Sequence, residues 1–410
     1  MTPQPIRVTA VLTHPVQYFS PWFRSIAAHQ PALDLTVLYG AVPSAEQQGS
    51  GFGQAFTWDV PLTDGYRFEV CGESAGKRFD SDSFFGLDVR DIGHRIAATR
   101  PDIVLVTGWH SVMQVRALAA CRTLRIPTLY RGDSTVYSGP RRLLRPLWSL
   151  KSRTMLRRFD AFLSVGRDAT DYLRSLGVPD SLIFSSPHCV DNDRFAAAAD
   201  RLRCSEHRAR LRTEIGASET DFVVLFAGKL QDRKRPIDAV AAVAALGSSA
   251  VLLVAGDGPL ASEMRACARR EGVRLAWKGF LNQSQLPEAF AASDCLLVPS
   301  AWESWGLILN EALASGVPCV ATTRVAAARD LIVEGETGFV AQPGDIAGLS
   351  AQLRRVQALR GAAHDFSAAC RAHVASYGFA QATDGLLAAS RHVLGRHRAT
   401  PDSVPQFYAH

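Results

Sequence analysis

Short apolar runs alternate with amphipathic stretches along most of the chain. In the first half, strands are expected at 6–12, 35–39, 103–107, 128–131 and 161–165, and helices at 21–28, 92–99 and 112–124. In the second half, strands are expected at 222–227, 251–255, 274–278, 295–299, 317–322 and 338–341, and helices at 236–246, 259–271, 285–292 and 306–315. Strands that alternate with helices form parallel sheets covered by helices on both faces, so the pattern predicts an α/β protein.

The alternation weakens in two places. Residues 41–90 are rich in Gly, Ser, Asp and Phe, and we expect strands with long loops there. A charged Ala/Arg stretch near 190–215 indicates a boundary between two doubly wound domains, 1–195 and 196–375. We expect a C-terminal helix at 376–400 that returns to the first domain and a frayed tail at 401–410. Two such domains facing each other would leave a central cleft lined by the carboxyl ends of the strands.

Composition narrows the class of protein. The chain has 410 residues, of which 47% are hydrophobic and 20% charged, which argues against a disordered chain, a collagen or a coiled coil. No window approaches the roughly 20 apolar residues that cross a bilayer, and the apolar run 8–12 is too short for a signal peptide. We therefore expect a cytoplasmic protein. Its eight cysteines show no CxxC spacing, which argues against a zinc site or a disulfide framework.

The positive charge is concentrated in one segment. The net charge is +6, and residues 141–158 alone contain seven Lys and Arg and no acid, so the rest of the chain is nearly neutral. A local patch argues against nucleic acid as a partner and indicates one anionic contact surface. Leucines and a tryptophan interleave with these cations, as in an interfacial helix on anionic lipid. A helix that packs its apolar side inward remains the alternative.

A cluster of cations, residues 228–236, follows the expected strand 222–227. It contains Lys229, Arg233, Lys234 and Arg235, and Pro236 is well placed to begin a helix. Cations at the tip of a parallel strand and beside a helix N-terminus favour a diphosphate ligand. The alternative is a solvated basic loop.

A second strand-loop-helix string, residues 299–311, places two carboxylates eight positions apart. Glu303 lies in the loop, where a carboxylate can receive sugar hydroxyls, and Glu311 lies one to two turns inside the helix, where it could bind a ribose diol. Gly306 allows close approach to the backbone, and the first helical turn offers N–H groups to phosphate oxygens. The alternative is that Glu303 interacts only with the helix dipole and that Glu311 lies on the surface.

A third string, residues 254–260, is a strand followed by Gly256, Asp257, Gly258 and Pro259. It is either a ligand-binding turn or a tight connection between strand and helix that makes no ligand contact.

These strings together resemble the retaining nucleotide-sugar glycosyltransferases of family 4, which have the GT-B fold of two Rossmann-like domains. Residues 228–234 resemble the family's phosphate-binding motif, residues 256–259 its G-D/E-G-P turn, and Glu303 to Glu311 its E-x7-E motif. Residues 314–318 and 336–340 match the flanks, and residues 187–195 resemble the family's linker, with His188 and Cys189 in place of Asn and Gly.

The resemblance implies roles for individual residues. The first domain would bind the acceptor and the second the donor. As catalytic residues, Lys229 and Lys234 would neutralise the leaving diphosphate, Glu303 would hold the transferred sugar, and His110 would lie beside that sugar. The other residues expected to bind the donor are Gly228, Arg233, Gly256, Gly279, Phe280, Leu281, Ser304, Trp305, Gly306, Leu307 and Glu311. No metal is implied, because lysines and helix N-termini would do the work that a cation does elsewhere. No cofactor is implied either, and the nucleotide diphosphate sugar is a co-substrate.

The first half departs from the family pattern. The usual Gly-rich loop after the first strand is replaced by residues 13–19, and the usual G-G-x-P-E by residues 327–330. We expect His14, Gln17, Arg131 and Asp133 to lie on the acceptor side. Arg131 and Asp133 could instead form a closed ion pair that fixes their loop, and His110 could be structural.

The sequence therefore predicts a retaining, metal-independent hexosyltransferase. Its acceptor is expected to be a glycan, a lipid-linked glycan or a small molecule, in envelope polysaccharide assembly at the inner face of the membrane. Two alternatives remain: a non-catalytic, nucleotide-sugar-binding partner subunit, and another GT-B enzyme such as a sugar-nucleotide epimerase.

Overall fold

The chain forms two compact units, each built around one parallel sheet. The computed structural model describes residues 4–72, 83–138, 145–203, 205–362 and 364–399. The first unit lies within residues 1–47, 61–188 and 379–410, and the second within residues 48–60 and 189–378. The expected tail 401–410 and the first four residues of the basic segment, 141–144, lie outside the described residues.

The first unit contains a seven-stranded sheet in the order β3-β2-β1-β4-β5-β6-β7, with every pairing parallel. Its strands are β1 (Ile6–Leu12), β2 (Leu33–Tyr39), β3 (Arg67–Val70), β4 (Ile103–Val106), β5 (Thr128–Gly132), β6 (Ala161–Ser164) and β7 (Ile183–Ser185). Its helices are α1 (Phe19–His29), α2 (Ala45–Gln48), α3 (Ile92–Ala98), α4 (Val112–Thr123), α5 (Arg145–Leu156) and α6 (Arg167–Ser175).

The second unit contains a six-stranded sheet in the order β10-β9-β8-β11-β12-β13, again with every pairing parallel. Two helices precede the sheet, α7 (Asn192–Leu202) and α8 (Ser205–Glu214). The strands are β8 (Phe222–Ala227), β9 (Ala250–Ala255), β10 (Arg274–Gly279), β11 (Cys295–Val298), β12 (Cys319–Thr322) and β13 (Gly338–Ala341). The other helices of this unit are α9 (Pro236–Ala244), α10 (Ala261–Arg270), α11 (Leu286–Ala292), α12 (Ile308–Ala314), α13 (Ala326–Leu331), α14 (Ile346–Gly361) and α15 (Phe366–Val374). The last helix, α16 (Phe379–Ala399), belongs to the first unit.

The central strands are buried on both faces, which explains their uninterrupted apolar sequence. All four residues of β4 and all six of β9 are buried. Helices pack against these faces: α4 begins at a capping box formed by Ser111 and Gln114, and α9 begins at Pro236. Local sequence signals therefore account for the start of these two helices, and burial accounts for the apolar sequence of the strands.

The region 41–90 differs most from the expected pattern. In its described part it contains the short strand β3 and the short helix α2, and residues 48–60, which the sequence assigned to the first domain, belong to the second unit. Aromatic side chains in 48–60 pack on Phe280, a contact far away in sequence that periodicity does not report.

Helix α16 packs against β6, β7 and α1 of the first unit. Trp22 Nε1 donates a hydrogen bond of 2.9 Å to Thr383, and Ser186 Oγ donates one of 2.7 Å to the carbonyl of Ala382. These contacts tie the end of the described chain to its first helix and last strand within that unit.

Each sheet has one point where the strand order reverses. In the first sheet it lies between β1 and β4, and in the second between β8 and β11. Ligands of doubly wound sheets bind at such points, beyond the carboxyl ends of the strands. The loops 228–235 and 299–307 follow β8 and β11, so the fold brings together the two motifs that the sequence singled out separately.

Candidate functional site

The loop after β8 is supported by the Gly-rich turn after β9. Leu230 donates its backbone N–H to the carbonyl of Asp257 at 2.9 Å, and Leu260 donates its own to the carbonyl of Leu230 at 3.0 Å. A Cβ on Gly256 would lie 2.0 Å from the carbonyl oxygen of Gly228, so the close approach requires glycine. The turn 256–259 therefore acts on the site by holding the loop 228–230.

Glu303 is the centre of a compact charged cluster. Its carboxylate is 2.5 Å from Lys234 Nζ and 2.9 Å from Arg233 Nη1, and it accepts a hydrogen bond of 2.7 Å from Ser300 Oγ. The residue is only 6% exposed, and its backbone N–H donates to the carbonyl of Arg324 at 3.0 Å. The loops after β8 and β11 are therefore joined by charge-assisted hydrogen bonds.

The charges of this cluster decide the ionisation of Glu303. Burial by itself raises the pKa of the carboxyl, but the charges of Lys234 and Arg233, together with the hydrogen bonds from Lys234 and Ser300, lower the pKa below its usual value. At neutral pH one carboxylate then faces two cations, which leaves positive charge at the carboxyl end of β8. That charge suits an anionic ligand.

The turn between Glu303 and α12 is fixed by its own side chains. Trp305 is buried and its Nε1 donates a hydrogen bond of 2.8 Å to Asn310. Gly306 has φ +108°, and a Cβ there would lie 2.8 Å from Val325, so this position requires glycine. Ser304, Trp305, Gly306 and Leu307 thus form a rigid approach to the first turn of α12, where N–H groups have no acceptor within the helix.

Lys229 contacts a segment from the first half of the sequence. Its Nζ donates a hydrogen bond of 2.6 Å to the carbonyl of Ser50 and lies 5.0 Å from the centroid of the Phe52 ring. The Lys229 ammonium therefore already has one acceptor in residues 48–60, which an anion bound to Lys229 would either accompany or replace.

The same segment covers the loop after β10. The ring centroids of Phe52 and Phe56 lie 4.8 and 4.2 Å from that of Phe280. Asn282 donates from Nδ2 to the carbonyl of Thr57 at 2.7 Å, so the loop that contains Gly279, Phe280 and Leu281 is tied to residues 48–60 at several points. This arrangement places an aromatic surface beside the β8 loop.

Glu311 lies inside α12 and is nearly buried, with 7% of its surface exposed. Gln283 Nε2 donates a hydrogen bond of 3.2 Å to Glu311 Oε1, and Arg194 donates bonds of 3.0 and 2.7 Å to the backbone and side-chain oxygens of Gln283. Burial raises the pKa of Glu311 to about 7, although the Gln283 bond and the charge of Arg194 lower it. The sequence alternative of a surface carboxylate is therefore wrong for Glu311.

The first unit has a cavity of about 140 Å³ at the carboxyl ends of β1, β4, β5 and β6. Its polar and aromatic lining includes His14, Tyr18, Thr107, Arg131, Asp133 and His188. Three of the expected first-half residues, His14, Arg131 and Asp133, thus come together there.

In the described structure of the first unit, neither Gln17 nor His110 lines that cavity. Gln17 is half-buried beside it. His110 is exposed, its ring stacks on Trp109 with centroids 6.1 Å apart, and its backbone N–H donates to Gln114 at 2.8 Å.

The residues packed around the cavity determine which of its side chains are charged. Arg131 is 2% exposed, donates to the backbone and hydroxyl oxygens of Ser186, each at 2.5 Å, and lies 4.6 Å from the Trp22 ring. Burial lowers the pKa of His14 to about 4. Burial and the charge of Arg131 lower the pKa of His188 to about 3, against the opposing charge of Asp133. Both imidazoles are therefore uncharged at pH 7, and such groups can donate and accept hydrogen bonds with a hydroxyl-bearing ligand.

Sequence reasoning missed several of these residues. His188 was seen only as a departure in the linker, yet it lines the cavity. Arg194 was seen only as part of the linker string 187–195, and Gln283 and the segment 48–60 gave no motif at all. The available signal was a polar Gln283 close to Gly279, Phe280 and Leu281, which were expected to bind the donor. The structure buries this glutamine, whereas its two neighbours in the chain are half-buried or exposed.

Two further observations concern metals and membranes. Among the residues that the structure describes, no group of three or more His, Cys, Asp and Glu side chains is arranged to hold a metal ion. No helix in the described ranges is both long and apolar enough to span a bilayer.

Comparison with known families matches both units. Residues 22–185 match the model of the glycosyl transferase 4-like domain, and residues 207–373 match the model of glycosyl transferases group 1. The two matches correspond to the two sheets described above.

Curated relatives match part of the chain. The 2-deoxystreptamine glucosyltransferase of Streptomyces kanamyceticus is 32% identical over 221 residues, which cover 52% of this chain and 56% of that protein. The N-acetyl-alpha-D-glucosaminyl L-malate synthase of Bacillus anthracis is 32% identical over 157 residues, which cover 37% of this chain and 40% of that protein. The chain thus spans about half the length of these relatives.

Solved structures are similar over nearly the whole chain. A glycosyltransferase from Rickettsia africae has a TM-score of 0.71 at 13% identity, covering 95% of this chain and 99% of that one. HepE of Anabaena in complex with UDP and glucose has a TM-score of 0.66 at 14% identity, covering 96% of this chain and all of that one. At these identities the likeness shows the fold, GT-B with two Rossmann-like domains.

Proposed function

The chain belongs to the glycosyltransferases of family-4 type, and from that premise we propose that it moves a hexosyl unit from a nucleotide diphosphate sugar to an acceptor hydroxyl, with retention of configuration. The observation that carries this proposal is the cluster of Lys234, Arg233 and Glu303 at the reversal point of the second sheet. Its excess positive charge suits the diphosphate that leaves during transfer.

In the proposed reaction the bond between the anomeric carbon and the diphosphate oxygen breaks, and the acceptor oxygen bonds to that carbon on the same face. The acceptor proton passes to the departing diphosphate. Lys234, Arg233 and Lys229 stabilise the negative charge that builds on the leaving group, which is the main contribution expected of fixed charges in a site that excludes water. Glu303 orients Lys234 and Arg233 and accepts hydrogen bonds from hydroxyls of the transferred sugar.

The same cations replace a metal ion in this proposal. Since Lys234, Arg233 and Lys229 supply positive charge at one loop, transfer should proceed unchanged in the presence of a chelator such as EDTA. A loss of turnover that Mg²⁺ or Mn²⁺ restores would overturn this part.

The acceptor is proposed to bind the first unit, in the cavity lined by His14, Asp133 and His188. Uncharged imidazoles beside a carboxylate suit an acceptor that presents several hydroxyls, such as a glycan, a lipid-linked glycan or a small polyol. One of the relatives is named a 2-deoxystreptamine glucosyltransferase, and that name refers to a small molecule. Envelope polysaccharide assembly is the setting we propose.

Helix α5 supports a peripheral contact with anionic membrane. Leu147 and Leu150 are 69% and 63% exposed, Lys151 and Arg153 are exposed on the same helix, and Arg158 is exposed just after it. Apolar residues that point outward among cations are typical of an interfacial helix. The helix also packs Ser152 and Leu156 inward, so part of the inward-packing alternative holds too.

Vesicle binding tests this contact. We expect the protein to sediment with vesicles of anionic phospholipid at low salt, to be released at high salt, and to lose binding when Leu147 and Leu150 are changed to Ser. Leu124→Ser, at an exposed leucine outside α5, is the matched control. Equal binding of the double variant would remove the membrane role.

The transferase proposal is tested with the full chain. Nucleotide diphosphate sugars are screened for thermal stabilisation without added metal, and a ligand at 100 times its Kd should add about 2.7 kcal/mol to the free energy of unfolding. The stabilising donor is then incubated with candidate acceptors, and the product anomer is read by NMR. Stabilisation without transfer to any acceptor would favour the partner-subunit alternative, and isomerisation of the donor alone would favour an epimerase.

A further inference from the structure

The Glu311 carboxylate has one oxygen engaged and one available. Gln283 Nε2 donates to Oε1 at 3.2 Å, and among the described residues no other hydrogen bond to this carboxylate is formed. Glu311 and Gln283 are both nearly buried, at 7% and 8% exposure. The second oxygen, Oε2, is therefore the one that a ligand hydroxyl can approach.

Arg194 determines which way the Gln283 amide points. Its Nη2 donates to Gln283 Oε1 at 2.7 Å and its Nη1 donates to the backbone carbonyl of Gln283 at 3.0 Å. Because the amide oxygen faces Arg194, the amide nitrogen faces Glu311. A rotated amide would place its oxygen against the carboxylate and lose both bonds.

Arg194 is itself held at the start of α7. Asp191, which precedes the helix, accepts the backbone N–H of Arg194 at 2.9 Å, and the guanidinium lies 4.3 Å from the ring of Phe195. Arg194 therefore links the first turn of α7 to the loop after β10, and through Gln283 to α12.

We propose that Gln283, oriented by Arg194, is a positioning residue for the Glu311 carboxylate and sets how strongly the chain prefers a ribonucleotide donor to its 2′-deoxy counterpart. The inference rests on the proposed function, with Glu311 in the role that the sequence indicated for it, binding of the ribose diol of the donor.

The physical reason is that a buried carboxylate depends on its few partners. Removing the Gln283 bond leaves a buried acceptor unsatisfied and disfavours its ionised form. A protonated or rotated carboxyl binds a diol less well, whereas contacts to the base and the diphosphate involve other residues. The loss should therefore appear in the ribose preference rather than in affinity as a whole.

The experiment measures Kd by calorimetry for UDP and for 2′-deoxy-UDP, and for the GDP and ADP pairs if UDP does not bind. The full chain is compared with Gln283→Met, which keeps the side-chain length, and with Arg194→Met, which leaves the glutamine in place. Arg201→Met, at an exposed position on the same helix, is the matched control. Glu311→Gln tests the ribose role itself.

We expect the wild-type chain to prefer the ribonucleotide by about tenfold or more, as for a hydrogen bond to a charged group. Gln283→Met should bring the preference close to one and change the affinity for the 2′-deoxy form by less than about twofold. Arg194→Met should lower the preference partway, and Arg201→Met should leave it unchanged. A wild-type preference in both Gln283→Met and Arg194→Met would overturn the inference. If Gln283→Met does not fold, Arg194→Met decides alone.

Failure of the proposed function gives a different result. If none of the three ribonucleotides binds the wild-type chain, the donor site is wrong and the inference falls with it. If they bind but Glu311→Gln keeps the full ribose preference, the donor site stands, the ribose role of Glu311 is wrong, and the inference is overturned.

Discussion

The two sheets each have one reversal of strand order, but the loops at those points have different electrostatic character. In the second unit Lys234 and Arg233 lie within 3 Å of the buried carboxylate of Glu303. In the first unit the histidines His14 and His188 are uncharged at pH 7, because burial lowers their pKa to about 4 and about 3. The same backbone frame thus holds net positive charge in one unit and hydrogen-bonding groups of mixed character in the other.

The difference shows how one architecture can bind two kinds of ligand. A parallel sheet fixes where its loops meet, whereas the side chains in those loops fix the charge that they present. A leaving diphosphate requires cations, and an acceptor hydroxyl requires groups that donate and accept. Variants on the two sides should therefore change different measured quantities.

The largest effect is expected for Lys234→Ala. Its ammonium is 2.5 Å from Glu303, and its loss removes charge stabilisation of the leaving group, so turnover should fall about 1,000-fold. Turnover is measured by product formation at saturating donor and acceptor. Lys278→Ala is the control, because Lys278 is exposed and pairs at 3.5 Å with the exposed Glu214. Turnover of Lys234→Ala within tenfold of wild type would contradict the assigned role.

A smaller effect is expected from the titration of Glu311. With its pKa raised to about 7, the carboxyl is mostly protonated at pH 6 and mostly ionised at pH 8. Affinity for a ribonucleoside diphosphate should therefore increase by up to about tenfold between those pH values, relative to its 2′-deoxy form. Calorimetry across this range checks it, and the 2′-deoxy ligand removes the contribution of phosphate ionisation. A ribose preference that is flat with pH in wild type and in Glu311→Gln alike would show that Glu311 does not titrate there.

The variant His14→Ala should weaken acceptor binding and leave donor binding unchanged. Loss of one hydrogen-bonding group in the cavity should raise the acceptor KM about five- to tenfold, with the donor Kd unchanged. Gln17→Ala, beside the cavity but outside its lining, should have a smaller effect. Steady-state kinetics with each substrate varied in turn separates these parameters. A changed donor Kd in His14→Ala would contradict the assignment of acceptor binding to the first unit and donor binding to the second.

The smallest effect is expected for Phe52→Ala. The Phe52 ring lies 5.0 Å from the Lys229 ammonium, which also donates to the Ser50 carbonyl, so the ring and the carbonyl compete with a diphosphate for this ammonium. Removing the ring should tighten nucleoside diphosphate binding two- to fivefold, in line with an exposed cation–π contact of about 0.5–1 kcal/mol. Phe68→Ala, at an exposed ring in the first unit, is the control. Weaker binding would instead mean that Phe52 contacts the ligand.

Many of the strands could be predicted from the sequence. The strands Ile6–Leu12, Phe222–Ala227 and Gly338–Ala341 have the predicted bounds, because short, mostly apolar runs between turn residues are typical of buried parallel strands. The proximity of the loops 228–235 and 299–307 was not predicted, because it depends on the strand order, in which β8 and β11 meet at a reversal.

Contacts between residues far apart in the sequence could not be predicted. The sequence placed Lys229 in the site, but its contact with Ser50 joins positions 179 residues apart. Arg194 and Gln283 are 89 positions apart and belong to no shared motif. Hydrophobic periodicity and turn chemistry report only neighbours along the chain.

The sequence by itself determined the class of fold, the family and the residue types at the tips of β8 and β11, because apolar periodicity and short motifs are local properties. Only the tertiary structure decided which groups are charged. The burial of Glu311, His14 and His188, and the cations around Glu303, depend on elements that fold together from distant parts of the chain. Desolvation and neighbouring charges set a pKa, and both are properties of the packed molecule rather than of the sequence around the residue.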